Sequence, residues 1–172
     1  MKRRLTMLAL TALALVALGS VVLTVPSPAL AGGATQISGI GYPAGPGECT
    51  DFPTGPGEYY VGALNMTGDL EGCLYTHIET SVSSPSGTYR ETGNELFVGS
   101  YKSEGSGTFS TTYRFEAKYA DVANLVGEIF GRCQHPIVAG SGTDVFAGVT
   151  GRLDFKDDIA AGNFPYRGHL GW

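Results

Sequence analysis

The chain has 172 residues and a formal net charge of −5 at pH 7, from 16 acidic and 11 basic side chains. An acidic protein repels phosphate backbones and no Lys/Arg cluster follows the N terminus, so the composition argues against a nucleic-acid partner. The 26 glycines recur at short intervals between β-branched and aromatic residues. This punctuation is typical of short strands joined by tight turns, and we expect an all-β protein.

Residues 1–31 have the pattern of a secretory signal peptide. Basic residues Lys2 to Arg4 precede an uncharged apolar run from Leu5 to Val25. Pro26 and Pro28 end any helix there, and Ala29-Leu30-Ala31 places small residues at the −3 and −1 positions of a cleavage site. The alternative is an uncleaved membrane anchor, because the run approaches the length of a bilayer span. We expect cleavage, a secreted extracellular protein, and no membrane span in what remains.

Cleavage leaves 141 residues, which is enough for one domain with a hydrophobic core. It removes three basic residues and no acid, so eight basic side chains remain against 16 acids and the net charge becomes −8.

Residues 32–57 are rich in Pro and Gly, with a P-x-G-P-G pattern at Pro43–Gly47 and again at Pro53–Gly57. Because Pro and Gly do not sustain a helix or a central strand, we expect a loop or an extended arm. The barrel domain is then predicted to occupy residues 58–172.

Strand-like segments follow one another closely through that domain. The clearest is Thr108–Tyr119, whose odd-numbered positions carry aromatic side chains and whose even-numbered positions are polar, so the odd positions should face a core. About eight or nine such strands with short turns predict an antiparallel barrel or sandwich, and we favour an eight-stranded barrel because closure removes exposed edges. Such a barrel can hold one small ligand. The other predicted strands are Tyr59–Gly68, Leu70–Val82, Thr88–Thr92, Glu95–Tyr101, Gly127–Cys133, Phe146–Asp157 and Asn163–Leu170.

The segment Ile137–Gly151, I-V-A-G-S-G-T-D-V-F-A-G-V-T-G, resembles the I-x-G-G-T-G-x-F-x-x-A-x-G hairpin of the allene oxide cyclase and dirigent-like barrels. The resemblance extends over Gly105–Gly151, with one extra residue between Gly142 and Phe146. It implies an eight-stranded barrel with Phe146 plugging one end, a small apolar ligand, and a fold that is compatible with a homo-oligomer. That family's catalytic residues lie in its N-terminal part, with which this chain does not align, so the resemblance carries the fold and not the activity.

Candidate ligand contacts lie on two strands. Tyr113, Phe115 and Tyr119 share one face and either line an aromatic pocket or pack as core. Glu128 and Arg132 alternate on the next strand and either pair inside the barrel or form a solvent-facing salt bridge. Glu128 and His135 are the candidates for acid–base chemistry, although a lone His at a strand end is more often structural.

The three cysteines are Cys49, Cys73 and Cys133. Outside the cytoplasm a pair of them can oxidise, and we predict a Cys73–Cys133 disulfide because both lie in strand-like segments while Cys49 lies in a loop. A three-cysteine metal site lacks the usual C-x-x-C spacing. Asp154, Asp157 and Asp158 either bind Ca²⁺ or form a solvated acidic hairpin, which we favour. We therefore expect no metal and no cofactor.

Three functions remain open on the sequence alone. The first is a secreted, non-enzymatic barrel that binds a small apolar or aromatic ligand. The second is a cyclase- or isomerase-type enzyme with a polar group inside the barrel. The third is an envelope or matrix interaction module without a small-molecule site.

Overall fold

A computed structural model of the chain describes residues 33–51 and 60–172. The predicted signal peptide and the middle of the Pro/Gly-rich segment lie outside the described residues. Within them, no helix is long and apolar enough to cross a membrane.

Eight antiparallel strands form a closed barrel in which each strand pairs with its neighbours in chain order and β8 pairs with β1. The all-β prediction and the eight-stranded antiparallel barrel are confirmed. The strands are β1 Thr35–Pro43, β2 Gly62–Gly68, β3 Leu70–Ser83, β4 Thr88–Tyr101, β5 Gly105–Asp121, β6 Val126–Pro136, β7 Thr150–Lys156 and β8 Phe164–Gly171.

One end of the barrel, which we call the closed end, is the end at which the even-numbered strands finish. The connection between β6 and β7 lies there and contains a short 3₁₀ turn, Asp144–Phe146. Phe146 is fully buried and its ring packs edge-on against Phe97 and Phe109, with ring centroids 5.7 and 5.0 Å away. The prediction that Phe146 plugs one barrel end is confirmed. We call the other end, where the odd-numbered strands finish, the open end.

The alternation predicted for β5 is confirmed. Phe109, Thr111, Tyr113 and Ala117 are buried and face the barrel interior. The core is densest toward the closed end, because the large side chains of several strands converge on Phe146 there.

The first strand corrects the predicted domain boundary. Residues 32–57 were expected to form an arm outside the barrel, yet Thr35–Pro43 is β1 and pairs with both β2 and β8. Ile37 on this strand is buried in the core. Without β1 the sheet would keep two open edges, and Pro43 is tolerated because it ends the strand.

The structure also joins two predicted segments, Thr88–Thr92 and Glu95–Tyr101, into the single strand β4. Gly93-Asn94 looks like a break in the sequence, but Gly93 is required inside the strand. A Cβ at that position would lie 1.9 Å from the carbonyl oxygen of His77 and 2.7 Å from the ring of Tyr113. Gly93 thus leaves room for the Tyr113 side chain.

The disulfide joins Cys49 to Cys73, with Cα atoms 5.6 Å apart, and Cys133 is a buried free thiol. The predicted Cys73–Cys133 pairing is wrong. Leu74 is buried in the core, so its neighbour Cys73 projects from the outer face of β3, whereas Cys133 faces the interior of β6. The two strands are separated by β4 and β5, and their cysteines lie on opposite sides of the barrel wall.

We expect one reactive thiol per chain when the unreduced protein is denatured, and none when it is native, because Cys133 is buried. Replacing both Cys49 and Cys73 by Ala should lower the free energy of unfolding by about 2–4 kcal/mol, since the bond constrains the unfolded chain. Thiol labelling with and without denaturant counts the reactive thiols, and urea unfolding measures the loss of stability. Cys133→Ala is the control, and it should abolish labelling while the disulfide remains. Two or more labelled thiols in the unreduced, denatured protein would contradict this pairing.

Candidate functional site

A cavity of about 230 Å³ lies in the barrel interior toward the open end. Its wall combines apolar and aromatic side chains with three carboxyl groups and one imidazole. Because its residues come from seven of the eight strands, closure of the barrel assembles it. The lining residues are Leu64, Thr76, Glu91, Glu95, Tyr113, Phe115, Cys133, His135, Phe155, Asp157 and Phe164.

A buried histidine–glutamate pair forms one wall of the cavity. His135 Nδ1 lies 2.5 Å from Glu95 Oε2, and both residues are 4% exposed. The same carboxyl group accepts hydrogen bonds from the hydroxyls of Thr76, at 3.1 Å, and Thr111, at 2.9 Å. Three neighbours on three strands thus hold Glu95, and Glu95 fixes the orientation of His135.

The second nitrogen of His135 is unused. Nε2 is buried and has no hydrogen-bond partner in the described part of the chain. In the neutral ring whose Nδ1–H donates to the Glu95 carboxylate, Nε2 presents a lone pair. The rings of Tyr113 and Phe155, with centroids 5.9 and 4.6 Å from that of His135, limit its rotation. The arrangement offers a fixed acceptor, or a base, at the cavity wall.

A second carboxyl group, that of Glu91, accepts two hydrogen bonds from tyrosines. Tyr89 donates to Oε2 and Tyr113 donates to Oε1, each at 2.5 Å. Burial, with the hydrogen bond to Glu91, raises the pKa of Tyr113 and raises that of Tyr89 to about 12. Both phenols therefore stay protonated at neutral pH and act as donors.

The third lining carboxyl, Asp157, contacts Glu128. Gly131 makes this possible, because a Cβ there would lie 2.1 Å from Asp157 Oδ2 and 2.4 Å from Glu128 Oε1. Burial, followed by the hydrogen bond with Glu128, raises the pKa of Asp157 to about 7. Asp157 therefore stays partly protonated near neutral pH.

The Asp157 carboxyl predicts a pH effect on stability. Its pKa is higher in the folded protein than the ordinary 3.8, so the folded state keeps a proton that the unfolded state loses. This group therefore lowers stability as pH rises from about 4 to about 7 and has no further effect above that. Asp157→Asn should raise the melting temperature relative to the parent more at pH 8 than at pH 4.

Thermal unfolding of both proteins across that pH range gives the difference between their melting temperatures. The contributions of the other titrating groups largely cancel in this difference. Glu104→Gln, at an exposed carboxyl in the β4–β5 turn, is the control and should show no such trend. An Asp157→Asn difference that does not change with pH would contradict the raised pKa of Asp157.

The structure brings most of the predicted site residues to this cavity. Tyr113, Phe115 and His135 line it. Tyr119 faces inward nearer the open end, where its ring packs on that of Tyr89 at 6.3 Å. Burial and the nearby Glu128 raise the pKa of Tyr119 to about 12.

Arg132 is not part of the cavity. Its side chain is 69% exposed on the outer face of β6 and donates to Glu116 at 3.0 Å. Neither alternative for Arg132 and Glu128, a pair inside the barrel or a solvent-facing salt bridge, is found, because a bulge at Ile129 shifts the pairing between Lys118 and Tyr119. The extra residue reverses the alternation, so Glu128 points inward while Arg132 points outward.

Sequence reasoning missed Glu91 and Glu95. The signal was present, because Tyr89, Glu91, Gly93, Glu95 and Phe97 alternate along one strand face, but Gly93-Asn94 was interpreted as a strand break. Asp157 was assigned to a solvated acidic hairpin, and the structure places it against Glu128 instead.

Comparison of this chain with protein-family models, curated proteins and solved structures finds no match. The class of protein is therefore defined by its own geometry, a closed eight-stranded antiparallel barrel with an acidic, aromatic cavity toward its open end.

Proposed function

We propose that this protein is an exported barrel of the allene oxide cyclase and dirigent-like type, and that it binds a small ligand with an apolar or aromatic body in its cavity. The observation that carries the proposal is the uneven filling of the barrel. Large side chains fill the closed half, whereas the other half keeps about 230 Å³ of space between aromatic walls.

Other observations support the export and the barrel type. The signal-peptide pattern of residues 1–31 and the Cys49–Cys73 disulfide both suit an oxidising compartment. The segment that resembles the family hairpin, Ile137–Gly151, carries Phe146 into the closed end.

The cavity can be tested by filling it. Leu64→Trp places a larger side chain in the cavity wall, and Arg132→Ala removes an exposed side chain on the outer face as the matched control. In ligand-observed NMR with small aromatic fragments, the parent and Arg132→Ala should bind and Leu64→Trp should not. Circular dichroism and melting temperature report whether Leu64→Trp is folded. Equal binding by a folded Leu64→Trp would overturn the proposal.

A second candidate function, an acid–base enzyme of the cyclase or isomerase type, is favoured by the free Nε2 of His135. An Asp/Glu–His pair with one free imidazole nitrogen is the usual arrangement of a general base. His135→Asn retains a donor toward Glu95 and removes Nε2. If the protein is an enzyme, a ligand recovered from it by native mass spectrometry should be converted by the parent, and bound without conversion by His135→Asn.

A further inference from the structure

The lining of the cavity combines aromatic side chains with several carboxyl groups. Glu91, Glu95 and Asp157 line it, and Glu128 contacts Asp157. Among the described residues, no Lys or Arg lines it. Arg90 and Arg132 pair with Glu116 on the outer face, so they do not neutralise the interior.

Acidic residues alone do not define a ligand, but His135 adds a separate requirement. His135 lines the cavity, and its buried Nε2 has no hydrogen-bond partner among the residues that the structure describes. A buried acceptor left unpaired costs about 1–3 kcal/mol, which a ligand with an N–H or O–H group would recover. With the ring neutral and Nδ1–H directed to Glu95, a ligand that satisfies Nε2 must donate a hydrogen bond.

The charge of the cavity selects among possible donors. A carboxylate or phosphate ligand would face carboxyl groups with no cation nearby, and like charges at this depth repel strongly. A protonated amine is attracted by Glu91 and Asp157, and the aromatic rings of Phe115 and Phe155 in the wall favour a cation through cation–π contact. A quaternary ammonium has no N–H to give to His135.

We propose that the ligand is a small primary or secondary amine, bound as its ammonium ion, with its N–H groups directed to His135 Nε2 and Glu91 and its apolar body against the aromatic wall. This rests on the ligand-binding function proposed above. The cavity is below the roughly 300–1,000 Å³ of drug-sized sites, so it suits a compound with a single ring.

The test compares three one-ring probes of similar size at pH 8, which are benzylamine, benzyl alcohol and benzoate. Benzyl alcohol can also donate to His135, so its difference from benzylamine isolates the charge. We expect benzylamine to bind about tenfold more tightly than benzyl alcohol in calorimetric titration, and benzoate not to bind.

Glu91→Gln should lower the benzylamine affinity about tenfold and change the benzyl alcohol affinity less than about twofold, because it removes charge and little volume. Glu104→Gln removes a carboxyl far from the cavity and should change neither affinity. The comparison of the three probes uses only the parent protein, so it still tests the proposal if Glu91→Gln folds poorly.

The outcomes separate this inference from the function on which it rests. Benzyl alcohol or benzoate binding as tightly as benzylamine would overturn the amine assignment and leave a ligand-binding cavity. If none of the three probes binds, and the aromatic fragments do not bind either, both proposals fail.

Discussion

Glu95→Ala is expected to lower the free energy of unfolding by about 3–5 kcal/mol. The change removes the acceptor of three buried or partly buried donors, His135 Nδ1 and the hydroxyls of Thr76 and Thr111. Each donor would then be buried without a partner. Urea unfolding, with the midpoint and slope compared with those of the parent, gives the difference.

Two further variants identify the cause of this loss. Glu95→Gln keeps the volume of the side chain, so whatever stability it loses comes from the hydrogen bonds and not from a cavity. Asn94→Ala alters the neighbouring residue, whose amide donates to Glu79 on the outer face, and should cost less than about 1 kcal/mol. Equal losses in Glu95→Ala and Asn94→Ala would show that the buried pair contributes no more than a surface contact.

Phe146→Ala is expected to cost a similar amount, about 3–5 kcal/mol, for a different reason. The ring is fully buried against Phe97, Phe109 and Tyr101, and its removal leaves a cavity at the closed end. Phe146→Leu keeps part of the volume and should lose less. The measurement is again urea unfolding at constant slope.

The matched control for Phe146 is Val138→Ala in the same connection, where the side chain is 39% exposed and the cost should stay below about 1 kcal/mol. If Phe146→Leu remains folded, it should bind the aromatic fragments as tightly as the parent does, because Phe146 does not line the cavity. A loss of stability in Phe146→Ala no greater than that in Val138→Ala would mean that the plug is dispensable.

The two substitutions separate the two halves of the interior. Aromatic packing stabilises the closed half, and its contribution to the free energy of folding depends on the apolar area buried and the volume filled. The other half is held by a polar network whose members must all be satisfied, and a cavity remains beside it. A ligand is accommodated where packing is incomplete and polar groups are already oriented.

The sequence by itself determined the all-β class and the inward face of β5, because these depend on local alternation and turn residues. The number of predicted strands agrees with the structure only because the division of β4 into two segments offsets the missing β1. The sequence also identified Phe146 as a plug and His135 as a candidate. It missed β1, since Pro and Gly in residues 32–57 obscured a short strand whose place is set by the need to close the barrel. It interpreted Gly93 as a break, whereas that glycine exists to accommodate the ring of Tyr113 from the next strand.

Only the tertiary structure decided which side chains meet. The bulge at Ile129 sends Glu128 inward and leaves Arg132 outside, and no periodicity rule locates a bulge. The barrel wall places Cys73 and Cys133 on opposite faces, so Cys73 bonds to Cys49 instead. Glu95 and His135 lie 40 residues apart and become partners because β4, β5 and β6 curve around one interior. Strand faces are local properties, but the contacts across a barrel depend on closure, register and bulges, which are properties of the whole fold.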